Sequence, residues 1–135
     1  MRGPLLRFPP VHLAAARVFV TDLGRSIEWY RNVIGASTTA EDLDAGYAVF
    51  DVGADLVLEV VGADSEISAG DLIGRFTGLS FAVADVRATF AALAAEADVV
   101  GEPELQTWGG TLATIADLDG NQIQLVQYPP LAIQE

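Results

Sequence analysis

The chain has 135 residues, enough for one domain with a sizeable core but too few for two ordinary domains. Its apolar content is 51%, its charged content is 19%, and the lack of cysteine excludes disulfides, thiolate zinc sites and a cysteine nucleophile. Nineteen acidic residues outnumber seven basic ones, so a net charge of −12 disfavours nucleic acid and anionic membranes as partners. It suits a neutral or cationic small molecule, although solubility alone also explains such a charge.

The N-terminal segment MRGPLLRFPPVH starts with a basic residue, but Pro9 and Pro10 interrupt it. No apolar stretch of signal-peptide length follows, so a secretory signal is not expected. The chain also contains no apolar run of about 18 residues, the length at which a membrane-spanning helix would be predicted. We therefore expect a cytoplasmic protein.

The first half of the chain predicts one strand, one helix and three further strands. AARVFV (Ala15–Val20) has strand character, and Asp22 is a candidate N-cap for a helix whose apolar residues recur at helical spacing until Gly35. The following strands are predicted near residues 36–41, in YAVFDV from Tyr47 and in DLVLEVV from Asp55, the last two joined by a hairpin at Gly53-Ala54.

The second half repeats this order. GLSFAV (Gly78–Val83) is a predicted strand, and Asp85 is a candidate N-cap for the helix VRATFAALAAEA. Asp22 and Asp85 lie 63 residues apart. The remaining strands are predicted near Val99, in GGTLATIADL and in NQIQLVQY, the last two joined across Asp119-Gly120-Asn121. A repeat of this length and content indicates an internal duplication of a βαβββ unit.

The predicted fold class is α+β in a single domain of 1–135. Its first unit spans about 13–62, a polar connector spans about 63–75, and its second unit spans about 76–128. Neither unit can bury its sheet alone, so the two must pack together, within one chain or across a dimer. We expect the mixed sheets to curve into an open half-barrel with helices outside and a ligand cleft between them.

Three linked motifs carry a resemblance to a known family. They are VFVTDLGRSIEWYRNVIGA, LVLEVV and TWGGTLATIADLDGNQIQLVQ. Together they resemble the vicinal oxygen chelate superfamily of glyoxalases, bleomycin-resistance proteins and extradiol dioxygenases, over nearly the whole span Leu13 to Tyr128. The resemblance implies the half-barrel fold and a homodimer. It also implies possible strand exchange between protomers, for which the proline-rich RFPP segment would suit a crossing arm.

In metal-using members the resemblance implies four ligands, two of them on the first strands of the units. Here those positions are Ala15 and Gly78, each seven residues before a helix N-cap, and neither has a donor atom. The fourth-strand acid is kept as Glu59, but its counterpart in the second unit is Gln124. One carboxylate and one amide are a poor set for a divalent cation, so we predict no metal. The alternative is a displaced divalent metal that uses His12, the only histidine.

The predicted cleft has a polar floor and aromatic edges. The candidate ligand-binding residues are Arg17, Phe50, Glu59, Ser80, Trp108, Gln122 and Gln124. Glu59 is either a general base, an anchor for a cationic ligand, or the ion-pair partner of Arg17. Ser80 has no neighbouring histidine, so a Ser-His nucleophile is not expected. These polar groups also have a purely structural interpretation, in which they satisfy one another beneath a closed core.

Aromatic residues near the predicted cleft can either stack a flat ligand or simply pack in the core. Tyr47, Phe50 and Trp108 lie on or beside the strands that would rim it. Trp108 stands in the polar, glycine-rich segment QTWGGT, outside any apolar stripe, which favours a stacking role for this residue. Trp29 and Tyr30 lie on the helix and are interpreted as packing residues.

Two functions of different classes are consistent with these residues. The first is a bleomycin-resistance type of binding protein, which holds or sequesters a natural product or metabolite, as in antibiotic resistance, without altering it. The second is an enzyme, a glyoxalase-like lyase, an isomerase or a dioxygenase, that acts through Glu59 with or without a displaced metal. The sequence does not identify the ligand.

Overall fold

The fold is that of a computed structural model, which describes residues 8–61 and 69–130. The elements are β1 (Ala15–Val20), α1 (Leu23–Ile34), β2 (Thr38–Asp42), β3 (Tyr47–Asp51), β4 (Asp55–Val60), α2 (Ala69–Leu72), β5 (Phe76–Ala82), α3 (Val86–Leu93), β6 (Asp98–Leu105), β7 (Thr111–Ala116) and β8 (Gln122–Gln127). The duplicated βαβββ order and the α+β class predicted from the sequence are confirmed. The one-turn helix α2 was not predicted, and residues 62–68 of the connector region lie outside the described residues.

Each unit forms its own four-stranded mixed sheet. The strand orders are β1-β4-β3-β2 and β5-β8-β7-β6. In each sheet the first and last strands of the unit pair in parallel, and the other pairs are antiparallel. As a result β1 and β5 are edge strands of their sheets, and the two sheets do not share a ladder.

Side-chain caps define both long helices. The Asp22 carboxylate accepts a hydrogen bond from the Arg25 backbone N–H at 3.1 Å, and Gly35 ends α1 with a φ of 75°. At α3 the Asp85 carboxylate accepts from Ala88 N–H at 3.1 Å, and the Gln127 side-chain oxygen accepts from Val86 N–H at 2.9 Å. This helix stops at Leu93, earlier than predicted, where the backbone turns toward β6.

One hydrophobic core joins the two units. It combines the helix-facing residues of the strands with the apolar face of α1, and includes Val18, Val20, Ile27, Tyr30, Leu56, Leu58, Ile115, Ile123 and Leu125. Residues of alternate parity on the same strands remain half-buried or exposed. Each sheet therefore has one covered face and one open face. Within the described ranges, no helix is long and apolar enough to cross a membrane.

Candidate functional site

At one end of the molecule a buried polar network joins the two units. The Tyr30 hydroxyl donates to Asp117 Oδ2 at 2.6 Å, and the Asn121 amide nitrogen donates to Asp117 at 2.9 Å and to the Phe19 carbonyl at 2.8 Å. Burial and the negative charge of Asp117 raise the pKa of Tyr30 well above its usual value. The turn that the sequence interpretation treated as a simple hairpin thus also fastens unit two to the end of β1.

A second set of contacts surrounds this network. The Thr21 backbone N–H donates to the Asp119 carboxylate at 3.2 Å, and Gly74 N–H donates to Asn121 Oδ1 at 2.8 Å. The Trp29 indole N–H donates to the carbonyl of Glu96 at 3.1 Å. The Thr21 and Trp29 bonds cross between the units, and the Gly74 bond ties the segment before β5 to the DLDGN turn, so polar groups seal this end of the interface.

The open face of the first sheet carries an ion pair. Arg17 on β1 donates to the carboxylate of Glu59 on β4, and its guanidinium carbon lies 5.1 Å from the centroid of the Phe19 ring. The hydrogen bond to Glu59 and the charge of that carboxylate raise the pKa of Arg17. Arg17 is 57% exposed and Glu59 is 30% exposed at the side chain, so solvent screens the pair. Both predicted residues lie together on this face.

The open face of the second sheet carries a weaker pair. Ser80 and Gln124 are register partners on β5 and β8, and the Ser80 hydroxyl donates to Gln124 Oε1 at 3.3 Å. Gln122 lies on the same face of β8, half-buried beside the start of β5, and its backbone groups bond with Arg75 and Thr77. The hydrogen-bonded partners Ser80 and Gln124 form no nucleophile–base arrangement with a histidine.

Phe50 and Trp108, the two aromatic residues among the predicted ligand-binding set, do not lie on the open sheet faces. Phe50 is fully buried on the covered face of β3, with its ring 6.5 Å from that of Tyr30, so it packs in the core and cannot contact a ligand on the open face. Trp108 is 50% exposed on the turn between β6 and β7, where its ring covers Gly110 and lies 6.1 Å from that of Tyr128. Its neighbours are thus another aromatic and a glycine.

The residues present do not fit a divalent metal site. Gly78 has no donor, and its φ of 78° is a conformation that L-residues rarely adopt, so the backbone here is suited to glycine and not to histidine. Strand register adds a further mismatch. In the second sheet Gln124 lies opposite Ser80. Arg17 is the residue of the first unit that corresponds to Ser80, and the residue opposite Arg17 is Val57. Glu59 and Gln124 therefore do not occupy equivalent positions in the two sheets. Across the part of the chain that the structure describes, no three His, Asp or Glu side chains are grouped to hold a metal ion.

His12, the alternative ligand, is exposed in the segment that precedes β1. None of the described side chains forms a hydrogen bond or ion pair with it that would indicate a ligand set. Its exposure is that of a surface residue.

A cavity of about 590 Å³ lies between the two units, within the size range of small-molecule sites. Leu13 and the edge of β1 border it on one side, the C-terminal end of α1 and the start of β4 on another, and β5 with α3 on the third. Its lining is Leu13, Ala16, Val33, Ile34, Ala36, Asp51, Val52, Ala54, Asp55, Leu56, Leu79, Ser80, Phe81, Ala82, Val83, Thr89, Ile123 and Leu125. Of the predicted ligand-binding residues, only Ser80 is among them.

The end of the interface that contains the cavity lacks the polar contacts found at the other end. Asn121 directly precedes β8, and the residue that directly precedes β4 is Ala54. Asp119, two residues before Asn121, corresponds in the same way to Val52. Ala54 and Val52 both line the cavity. Because alanine and valine cannot make the bonds that Asn121 and Asp119 make, this end of the interface remains open.

The same correspondence holds on the other side of the interface. Counted from the helix N-caps, Thr21 matches Ala84 and Phe19 matches Ala82, and Ala82 lines the cavity. Phe19 and Thr21 bond at the sealed end through backbone groups, so the difference between the two ends lies in their partners Asn121 and Asp119, which Ala54 and Val52 replace. The internal duplication is visible in the sequence and pairs these positions of the two units. Only the contacts of the DLDGN turn show that the two ends of the interface differ.

Comparisons with known proteins agree with this architecture. A model of the Glyoxalase/Bleomycin resistance protein/Dioxygenase superfamily matches residues 11–125. Similar solved structures include a member of that superfamily from Sphaerobacter thermophilus DSM 20745, with 22% identity, a TM-score of 0.70, and coverage of 88% of this chain and 98% of that one. TioX from Micromonospora sp. ML1 has 21% identity, a TM-score of 0.69, and coverage of 87% and 98%.

A third structure, a protein of unknown function from Agrobacterium tumefaciens str. C58, has 25% identity, a TM-score of 0.70, and coverage of 90% of this chain and 98% of that one. No curated protein matches the chain by sequence. Each of these three structures is matched over 98% of its own length.

Proposed function

Because the chain belongs to the glyoxalase, bleomycin-resistance protein and dioxygenase superfamily, we propose that it is a binding protein that holds a small molecule in the cavity between its two units. The observation that carries this proposal is the cavity itself, with its volume of about 590 Å³ and its mainly aliphatic lining. Burial of apolar ligand surface there supplies the driving force, at roughly 25 cal/mol per Å².

Binding is favoured over catalysis by the chemistry of the polar residues. Glu59, the candidate general base, is paired with Arg17 on an open face and does not line the cavity. Ser80 does line it, but its hydroxyl is directed to the amide oxygen of Gln124 and not to a base. Thr89 on α3 also lines the cavity, and its hydroxyl is suited to orient a ligand by hydrogen bonding.

Enzymatic action through Glu59 is the second candidate, and one observation supports it. The Arg17–Glu59 pair lies on the open sheet face, where a substrate could reach both groups if a second copy completed the cleft. The donor set found here does not fit a metal, so we propose that either function is metal-independent. Homodimer formation belongs to the same proposal.

Filling the cavity tests the proposal. Ala16 lines it, whereas Ala15 lies on the opposite face of the same strand, so Ala16→Phe and Ala15→Phe form a matched pair. We expect Ala16→Phe to lower affinity for a cavity ligand at least about tenfold, which corresponds to a loss of about 1.4 kcal/mol in binding free energy. Ala15→Phe should leave it unchanged. Thr89→Phe fills the cavity from α3 if Ala16→Phe proves too unstable.

A library of small apolar and aromatic compounds, read by thermal shift and then by calorimetry, would identify ligands for this comparison. Trp108→Ala is a further control, because Trp108 does not line the cavity. Ligands that bind wild type and Ala16→Phe equally, but lose affinity in Trp108→Ala or Glu59→Gln, would contradict the cavity as the site.

A further inference from the structure

The free edge of β5 presents two backbone polar groups beside the cavity. The Val83 N–H donates to the Val126 carbonyl of β8 at 2.9 Å. Because alternate residues of a parallel pair direct their backbone groups to the partner strand, the carbonyl of Ala82 and the N–H of Ala84 point the other way, to the edge that faces unit one. Among the described residues, no hydrogen bond reaches the Ala84 N–H. Ala82 and Val83 line the cavity, so both groups stand at its border.

The duplication supplies a direct comparison for these two groups. Ala82 and Ala84 correspond to Phe19 and Thr21 at the end of β1. The backbone is alike at both places, because the helix N-caps that follow have φ values of −122° and −139° and the same ψ of 100°. The carbonyl and the N–H are thus presented in the same arrangement on both edge strands.

At the sealed end both groups are hydrogen-bonded by side chains of the other unit. The Phe19 carbonyl accepts from the Asn121 amide at 2.8 Å, and the Thr21 N–H donates to the Asp119 carboxylate at 3.2 Å. The edge of β1 therefore takes one donor and one acceptor side by side. At the cavity end an alanine and a valine stand in place of these partners, so the edge of β5 receives neither.

We infer that the cavity takes a neutral, peptide-like acylamino compound, whose N–H donates to the Ala82 carbonyl and whose next carbonyl accepts from the Ala84 N–H. This inference rests on the proposed binding function and names its ligand class. An N–H and a carbonyl that flank one carbon match this edge, because one residue of an added parallel strand bonds its neighbour in the same way.

The rest of the cavity requires an uncharged, apolar body. The side chains that strand alternation directs into it, such as those of Ala16, Leu56, Leu79 and Phe81, carry no charge. A charged group among them would lose its hydration without gaining a partner. The apolar body therefore supplies most of the affinity, and the edge of β5 supplies the preference for an acylamino group.

Two neutral compounds that differ at one position test this preference. N-octanoylglycine methyl ester carries the N–H, and methyl (octanoyloxy)acetate has an ester oxygen in its place. Both are titrated by calorimetry into the wild type and two variants of Ala54, which directly precedes β4 as Asn121 precedes β8. Ala54→Asn should occupy the Ala82 carbonyl as Asn121 occupies that of Phe19. Ala54→Leu fills similar space without an amide.

We expect the ratio of the two affinities to fall about fivefold in Ala54→Asn, which corresponds to the loss of one neutral hydrogen bond. Ala54→Leu should weaken both compounds equally and so keep the wild-type ratio. Because the same two compounds are compared in every protein, differences in their hydration cancel.

Nuclear magnetic resonance of isotope-labelled wild type gives a second readout that needs no variant. Both compounds carry the accepting carbonyl, so either should shift the Ala84 amide proton downfield. The Thr21 amide proton is the control, because it is already bonded to Asp119 and should not move.

The outcomes separate the ligand class from the proposed function. An equal affinity ratio in all three proteins, or no shift at Ala84, would overturn the acylamino ligand. Failure of both compounds to bind would overturn it as well. The cavity remains a binding site in these cases if Ala16→Phe still weakens a library compound. If neither compound binds and Ala16→Phe alters no library compound, the proposed function is overturned too.

Discussion

At the residue scale, Asp117 is a buried carboxylate held by several hydrogen bonds. This carboxylate is 3% exposed and accepts bonds from the Tyr30 hydroxyl, from the Asn121 side chain and from the backbone N–H groups of Asn121 and Asp119. A buried carboxylate is tolerated only when its oxygens are hydrogen-bonded in this way. Its partners come from both units, so loss of any one of them affects the interface.

Removal of the Tyr30 hydroxyl should destabilise the protein. Tyr30→Phe keeps the ring in the core but leaves Asp117 without one charge-assisted bond, at a cost of about 1.5–3 kcal/mol in the free energy of unfolding. Urea denaturation measures this. Tyr47→Phe, at an exposed tyrosine, is the control and should change stability by less than about 0.5 kcal/mol. Equal effects would contradict the network.

The raised pKa of Tyr30 predicts a pH dependence with a defined sign. The phenol loses its proton near its ordinary value of 10.0 in the unfolded chain but stays protonated at that pH in the fold. The unfolded state thus binds fewer protons, and stability falls as pH rises above that value. Denaturation from pH 8 upward should show a shallower fall for Tyr30→Phe than for wild type, and parallel curves would be the contrary result.

Glu59 distinguishes the binding function from the enzymatic one. Because Arg17 and Glu59 are exposed to solvent, Glu59→Gln should change stability by no more than about 1 kcal/mol, and it should leave cavity ligands unaffected. If Glu59 is a general base, the same change removes turnover while binding persists. Activity assays and calorimetry on Glu59→Gln and Arg17→Gln distinguish the two functions. If Glu59 is a general base, Glu59→Gln should lose more turnover than Arg17→Gln.

At the element scale, β5 departs from regular geometry. Its pairing with β8 shifts register between Phe76 and Ser80, and Gly78 supplies a φ of 78° within that shift. This irregularity falls where the family resemblance implies a metal ligand. Gly78 has no donor side chain, and its backbone conformation is one that L-residues disfavour.

Restoring a histidine at that position should therefore fail. Gly78→His should lower the free energy of unfolding by more than about 1 kcal/mol, because a side chain is strained at this φ. Gly24→Ala, in the first turn of α1, is the control and should be neutral or stabilising. Elemental analysis should find far less than one equivalent of Zn, Ni, Mn or Fe in wild type and in the variant. Stoichiometric metal in wild type would revive the metal enzyme.

At the scale of the whole molecule, the open faces and edges suggest a second copy. The edge strands β1 and β5 carry unpaired backbone groups, and the preceding segment exposes Val11 at 92% and Leu13 at 76%. Half-buried apolar residues such as Phe19, Val49 and Val57 lie on the open face of the first sheet. Covering these surfaces would also shield the Arg17–Glu59 pair from solvent.

We therefore predict a homodimer. Light scattering after size exclusion should give twice the 14.2 kDa chain mass at micromolar concentration. An added charge on the open face, Val57→Glu, should shift the protein toward the monomer, while Asp98→Asn should not. A mass of 14.2 kDa that persists at high load would contradict the dimer and leave the cavity as a site within one chain.

Much of the fold could be predicted from the sequence, because the features that define its helices and strands are local. Asp22 and Asp85 cap helices through bonds to residues three positions on, and Gly35 ends α1 through its own backbone angle. Strand alternation and the repeated order of elements needed no long-range information. The Arg17–Glu59 contact also followed from parity, since both residues were expected on one face.

Other features depended on tertiary structure. In YAVFDV both faces carry apolar residues, so alternation could not show that Ala48 and Phe50, and not Tyr47 and Val49, face the core. Trp108 stood in a segment typical of a binding loop, but it contacts Tyr128.

The sequence by itself determined that there are two βαβββ units and where their two long helices are capped. It also leaves Ala15 and Gly78, the positions at which the family resemblance implies metal ligands, without donor side chains. These properties reside in single residues and their near neighbours. Only the tertiary structure decided that the units are fastened at one end by Tyr30, Asp117 and Asn121 and separated at the other by a cavity. That difference depends on which turn meets which strand across the interface, a relation between residues roughly 100 positions apart in the chain, and no local pattern encodes it.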